Sequence, residues 1–375
     1  MEAISLSSFN GSTFFSSSVP DVEIPLTNGS VKAFVSLSIG RIDEISQSNG
    51  WTVTIGEFED ATRLFGETFW PVNNVITIQD LCSIVEPYVQ KILAVRMKIT
   101  VQPKDGSDTN VGDAINSTAT ILFSRADVGI SADEFYNNYF LSILMGPRTT
   151  AHGRREFLWY YGNDSATVTA LYEDGSAESF DAVVSGSTSV YTQLDVSPHY
   201  YEQLDKQLVA YTVIAGNRQQ RFEMDLSEPD CAPILEFYNS FGVWELLYCT
   251  GTHKVSPEYK RSSARFGSML RNYQIRETRT FHADTGVMST AMANWADDLF
   301  RSDDVYVVNV VDGEVVDRER GKKVIITESK SERTNDDDHL PRFTFSYQYA
   351  QRVHNVLQLN RVGRIFDNTF DNTFN

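Results

Sequence analysis

The sequence is poor in the features that usually anchor a function. It has three cysteines, Cys82, Cys231 and Cys249, and no C-x-x-C pair. That excludes a disulfide framework and leaves buried free thiols as the expectation, although Cys231 and Cys249 could meet across paired strands. Long apolar runs are missing too. None approaches the ~20 residues of a membrane helix, so no membrane span is expected. Met1 to Ser18 carries Glu2, lacks a basic region and has no continuous apolar core, so it does not read as a signal peptide. The expectation is a soluble chain made in a reducing cytoplasm. Basic residues are scarce, with 32 Lys and Arg against 50 Asp and Glu and a net charge of −18. A general nucleic-acid binder needs the opposite surplus on at least one surface.

Catalytic motifs are absent as well. The six histidines, His152, His199, His253, His282, His339 and His354, show no metal-ligand spacing. Asp336-Asp337-Asp338-His339 is the one dense cluster, and it reads either as a cation site or as a solvated loop. There is no G-x-S-x-G and no Cys with placed His and Asn. Gly321-Lys322-Lys323 lacks the upstream glycine and the following Ser or Thr of a phosphate loop. Carboxylate pairs for glycoside hydrolysis are set in space rather than in sequence. Asp303 with Asp304, or Glu57 with Glu59, are therefore nominal pairs among many acids. The expectation is a protein with no enzymatic activity, no cofactor and no structural metal.

What is present is patterned for strands. Hydrophobic residues make up 41% of the chain and aromatics 12%, enough to build real cores. At 375 residues the chain exceeds the size of one core, so two or three domains are expected. Ala33, Val35, Leu37 and Ile39 alternate with polar residues, as do Val95, Met97, Ile99 and Val101. The spacing of Leu81, Ile84, Val85 and Tyr88 predicts a helix over 77–85 that Pro87 ends or kinks. Ser131-Ala132-Asp133-Glu134 is a capping box opening a short helix. Strands then follow at 156–161, 166–172, 189–196, 208–214 and 219–226, separated by turns. Met292, Trp295, Ala296 and Leu299 share one face of a helix over 288–300. Phe343, Phe345, Tyr347 and Tyr349 form the aromatic face of a late strand.

The fold class read from this pattern is mainly β, with two or three antiparallel β-sandwich or barrel domains and a few short helices. The divisions fall at 1–127, 131–228 and 229–375, the last ending in an extended arm over 364–375. In that arm Phe366, Phe370 and Phe374 recur with period four and share one side of an extended chain. Phe14 and Phe15 lie in a Ser- and Asn-rich N-terminal arm. Grouped aromatics at both ends read as assembly contacts. Deleting 364–375 is expected to leave the domains folded and to reduce oligomerisation. Between Lys254 and Arg279 lie seven basic residues, among them Arg265, Arg271 and Arg276, opposed only by Glu258 and Glu277. This segment reads as a docking surface for an acidic partner, including another copy of this chain, or as the solvated face of a hairpin. Trp159, Tyr160, Tyr161, Tyr200 and Tyr201 are candidates for stacking on sugars.

The pattern Phe237-Tyr238-Asn239-Ser240-Phe241-Gly242-Val243-Trp244-Glu245 resembles a segment of tail proteins encoded by phages and prophages of Bacteroidetes. So do Thr285-Gly286 with Trp295, Leu299-Phe300-x-Ser302, and the terminal run Arg364-Ile365-Phe366-Asp367-Asn368-Thr369-Phe370. The resemblance covers about residues 200–375 and leaves the N-terminal domain uncovered. It implies a structural virion component of the tail or baseplate, made in the bacterial host and assembled as a ring or other oligomer. Its partners would be other copies of itself and neighbouring virion proteins. The alternative is a carbohydrate-binding, receptor-binding adhesin that recognises a host-surface glycan, and a glycan array separates the two.

Overall fold

The computed structural model describes residues 3–26, 29–47, 51–55, 62–188, 190–227, 229, 231–311, 314–315, 322–331 and 340–350. Strands that alternate apolar and polar residues bury one face, and the first sheet is built this way. Lys32–Gln47 pairs antiparallel with Ala94–Lys104, setting Val35 opposite Val101, Leu37 opposite Ile99 and Ile39 opposite Met97. All six of these side chains are buried. Ile115–Leu122 continues the sheet on one side, and Trp51–Ile55 and Thr62–Phe69 pair with Lys32–Gln47 on the other. A smaller sheet of Ile4–Ser5, Val22–Pro25 and Val75–Ile78, with the helix Leu81–Ile92, shares the same core through Val22, Ile24, Leu81, Val85 and Val89.

The middle of the chain forms two facing sheets. One has five strands, in the order Arg148–Thr150, Arg218–Met224, Leu208–Ala215, Ala166–Tyr172 and Ala177–Asp181. The other has three, Phe157–Tyr161, Tyr191–Asp195 and Val183–Ser187. Leu158, Tyr160 and Leu194 of the smaller sheet meet Val168, Tyr211, Val213 and Phe222 of the larger in one core, a sandwich-like arrangement.

The last region is a seven-stranded antiparallel sheet. Its order is Trp244–Tyr248, Ile234–Tyr238, Val305–Val308, Lys322–Ser331, Phe343–Tyr349, Met269–Asp284 and Lys254–Phe266. The helix Thr290–Arg301 buries Trp295, Ala296 and Leu299 against Leu235, Phe237, Phe343 and Phe345. Ser289 caps it by accepting from the Met292 amide.

Two buried features tie the regions together. Phe15, Leu122, Phe135, Tyr136, Tyr161, Tyr191, Phe241 and Val243 form one cluster drawn from all three parts of the chain. Beside it, Arg148 Nε lies 2.9 Å from Glu156 Oε2, and Arg148 Nη1 lies 3.6 Å from Glu245 Oε1. Glu245 Oε2 also accepts from Asn239 Nδ2 at 2.9 Å and from Trp295 Nε1 at 3.0 Å.

The architecture is thus mainly β and sandwich-like, and no sheet closes into a barrel among the described residues. Three short pairings are parallel rather than antiparallel: Ile4–Ser5 with Val22–Pro25, Thr13–Phe15 with Ile115–Leu122, and Arg148–Thr150 with Arg218–Met224. The early helix differs from the expected 77–85. Thr77 and Ile78 end a strand, Asp80 adopts a left-handed conformation, and the helix runs from Leu81 to Ile92 with Pro87 inside it. Proline is accommodated because residues 86–88 face solvent. The Ser83 carbonyl, deprived of its helical donor, is on an exposed residue as well.

Candidate functional site

The basic segment folds as a two-stranded ribbon. Lys254–Phe266 and Met269–Asp284 pair antiparallel from Lys254↔His282 to Phe266↔Met269. Gly267, at φ +63°, occupies the first central position of the two-residue tip, where a tight hairpin turn of the II′ kind needs a left-handed residue. A register shift at Ser262/Ser263 marks a bulge, which bends and twists the ribbon.

Only the root of this ribbon belongs to a larger sheet. Residues 281–284 pair with Phe343–Tyr349, while Lys254–Phe266 has no second neighbour and forms the sheet edge. From Glu258 and Thr278 outward the two strands have only each other. At about 3.4 Å per residue they project roughly 30 Å. Tyr259, Phe266, Met269, Leu270, Tyr273 and Ile275 on this projection are between 42% and 73% exposed. Interleaved with them are five cations and no acid between residues 260 and 276.

The register sorts these charges by face. Lys260 lies opposite Arg276 and Ala264 opposite Arg271, so these three cations share one side. Arg265, opposite Leu270, points to the other, as does Arg261, which stacks over the Tyr259 ring at 5.4 Å. Lys260 lies 3.5 Å from Glu258, and Arg279 is held by Glu277, which raises its already high pKa further. Among the described residues Arg265, Arg271 and Arg276 have no carboxylate partner. An open groove of about 360 Å³ lies at the ribbon root, lined by Lys254, His282 and Lys330 together with Asp284 and Glu328. Its opposite charges offset one another, and His282 is engaged with Ser346 Oγ at 2.9 Å.

A complementary surface lies in the middle sandwich. Residues 156–205 contain nine Asp and Glu and no Lys or Arg. Glu173, Asp174, Asp181, Glu202 and Asp205 are exposed. Hydrogen bonds from Ser176 hold the Asp174 carboxyl below its usual range, and Lys206 does the same for Glu178, so both stay ionised at neutral pH. Ala177–Asp181 and Val183–Ser187 are the outer strands of the two facing sheets. They are joined through Ala182, so two edge strands follow one another along the chain. Val184 on the second of these strands is exposed as well.

The remaining candidates fall elsewhere. Phe15 is in the shared core and Phe14 packs against the first core, stacked on Phe9 at 5.5 Å. Phe15 is too buried to serve as an assembly contact and Phe14 is half-buried, because Thr13–Phe15 is a strand of the first sheet and not a loose arm. Tyr160, Tyr161 and Tyr201 are also buried and cannot stack on a sugar. Trp159 is half-buried with its indole nitrogen enclosed. Tyr200 is exposed, with its ring 4.0 Å from that of His199. Phe366, Phe370 and Phe374, the Asp336–His339 cluster, and Glu57 and Glu59 lie outside the described residues. Asp303 pairs with Arg125 at 2.7 Å and Asp304 with Lys323, so this nominal carboxylate pair is occupied by cations. Among the described residues no group of three or more His, Cys, Asp or Glu could hold a metal, and no helix is long and apolar enough to cross a membrane.

No protein-family model and no curated protein matches this sequence.

Proposed function

We propose that this chain is a structural component of a phage virion, in the tail or baseplate, that works by assembling with its neighbours. The observation that carries the reading is the projecting ribbon. Two strands with apolar and cationic side chains on both faces are marginal alone in water, and a sheet edge of this kind invites pairing with another chain. The resemblance over residues 200–375 points the same way, since the ribbon falls inside it. Partners on this reading are other copies of the chain and adjoining virion proteins, and the destination is the assembled particle.

The test is mass spectrometry of phage particles purified from the encoding host after induction. The chain should co-purify with intact particles at a fixed ratio to their other structural proteins through a density gradient. Its loss from the particle band, while it remains in the lysate, would overturn the reading.

A further inference from the structure

We propose that the projecting 254–284 ribbon of one copy docks along the acidic 177–187 edge of a second copy, making a head-to-tail contact between identical chains. The inference rests on the assembly reading and adds the partner and its surface. Three observations carry it. The first is charge. The distal ribbon has five cations and no acid between residues 260 and 276, whereas on the middle sandwich Glu173, Asp174, Asp181 and Asp205 are exposed and, among the described residues, in no ion pair. Within a chain of net charge −18, the ribbon is a local exception.

The second is backbone chemistry. Lys254–Phe266 has one unpaired side, and so have Ala177–Asp181 and Val183–Ser187. Unpaired strand edges satisfy their amides and carbonyls by adding a strand from another chain. Pro257 lies near the ribbon root, where it removes one donor from the outer edge. It therefore confines such pairing to the distal stretch, where Arg265, Arg271 and Arg276 are found. The third is side-chain character. The exposed Val183 and Val184 add apolar side chains to this edge just beyond Asp181. Phe266, Leu270 and Ile275 present the matching apolar positions between arginines. In a single chain the ribbon stands exposed, so the contact has to form between copies. A heterologous contact of this kind closes into a ring or extends into a filament, according to the rotation between subunits.

A charge swap in the full-length chain tests the proposal. One variant carries Arg265→Glu, Arg271→Glu and Arg276→Glu; the other carries Glu173→Lys, Asp174→Lys and Asp181→Lys. All positions are exposed, and circular dichroism melts should show both variants folded as the wild type. In sedimentation velocity the wild type self-associates, less so as salt is raised. Each variant alone sets like charges against each other and self-associates about tenfold or more weakly. An equimolar mixture restores assembly, because each acidic ribbon then meets a basic edge and each basic ribbon an acidic one. A wild type that stays monomeric at every concentration, variants that associate as the wild type does, or a mixture that fails to recover would each overturn the inference. A chain that is present in virions and yet monomeric in isolation would sink the self-docking contact and leave the virion reading standing.

Discussion

Arg148 lies with its guanidinium 4.5 Å from the centre of the Trp295 ring. Arg148 comes from a strand of the middle sandwich and Trp295 from the helix of the last region, so one cation–aromatic contact spans the two. Both reach Glu245, one by charge and one by an indole hydrogen bond. Arg148 Nη2 also donates to the Leu246 carbonyl at 2.6 Å. Every member is buried, so the arrangement holds only while each charge keeps its partner.

Arg148→Met removes the only cation among the described residues that contacts both Glu156 and Glu245. Breaking a buried ion pair from one side costs about 3–5 kcal/mol, because the stranded charge remains in a dry site. Urea denaturation of the full chain should show that loss. A change below about 1 kcal/mol, within the ordinary range for single substitutions, would show that the network does not hold the junction together.

The same network makes stability depend on pH. Burial pushes the Glu156 carboxyl above its ordinary value of 4.5, even though Arg148 Nε lies 2.9 Å from its Oε2. Between the unfolded and folded values the folded chain therefore binds more protons, and stability falls as pH rises through that window. Glu156→Gln removes the ionisation while keeping the shape. Its stability relative to the wild type should rise with pH from the acidic range toward neutrality, as read from urea midpoints. A pH-independent difference would contradict the assignment.

Gly242 closes the turn between Ile234–Tyr238 and Trp244–Tyr248 at φ +78°. A Cβ there would lie 2.6 Å from Leu93 Cδ2 and 2.8 Å from Phe123 Cδ1. Gly242→Ala should cost about 1–3 kcal/mol from backbone strain and overpacking. Gly267 at the ribbon tip has a similar φ of +63° but nothing within 4 Å of its would-be Cβ. Gly267→Ala should cost only the left-handed strain, about 1–2 kcal/mol. Thermal melts that rank the two in the reverse order would refute the packing argument.

Polar replacements at the ribbon tip, Phe266→Ser with Leu270→Ser, touch nothing in the core. They should shift folding stability by no more than about 0.5 kcal/mol each. Binding of an apolar fluorescent dye to the native chain should fall, since these side chains are part of its exposed apolar surface. Unchanged dye binding with a lowered melting point would place them in the fold rather than on its surface.

Much of this architecture was legible in the residues wherever one face of an element is buried. Ala33 to Ile39 and Phe343 to Tyr349 alternate because one side packs in a core, and Trp295 with Leu299 marks the buried stripe of the Thr290–Arg301 helix. The ribbon shows the limit. Its arginines stood out, but its strands did not, because with both sides in water nothing selects a period of two. The N-terminal strand was hidden for another reason. Phe14 and Phe15 look like a loose arm until Ile121 and Leu122, far along the chain, become their sheet neighbours. The acidic edge has no signature in the residues, because an absence of lysine and arginine over fifty residues forms no motif; only the topology makes Ala177–Asp181 and Val183–Ser187 the outer strands of their sheets.

The ring cluster around Phe15, Phe135 and Phe241 makes the polypeptide hard to subdivide. A fragment stopping near residue 127 would inherit Phe15 and Leu122 with their lids torn away, and the complementary piece would carry the same wound. Recombination that exchanges whole modules between genes is therefore poorly tolerated here. Change has to come by substitution on the outside, which leaves the ribbon and the acidic edge as the places where such a chain can diversify.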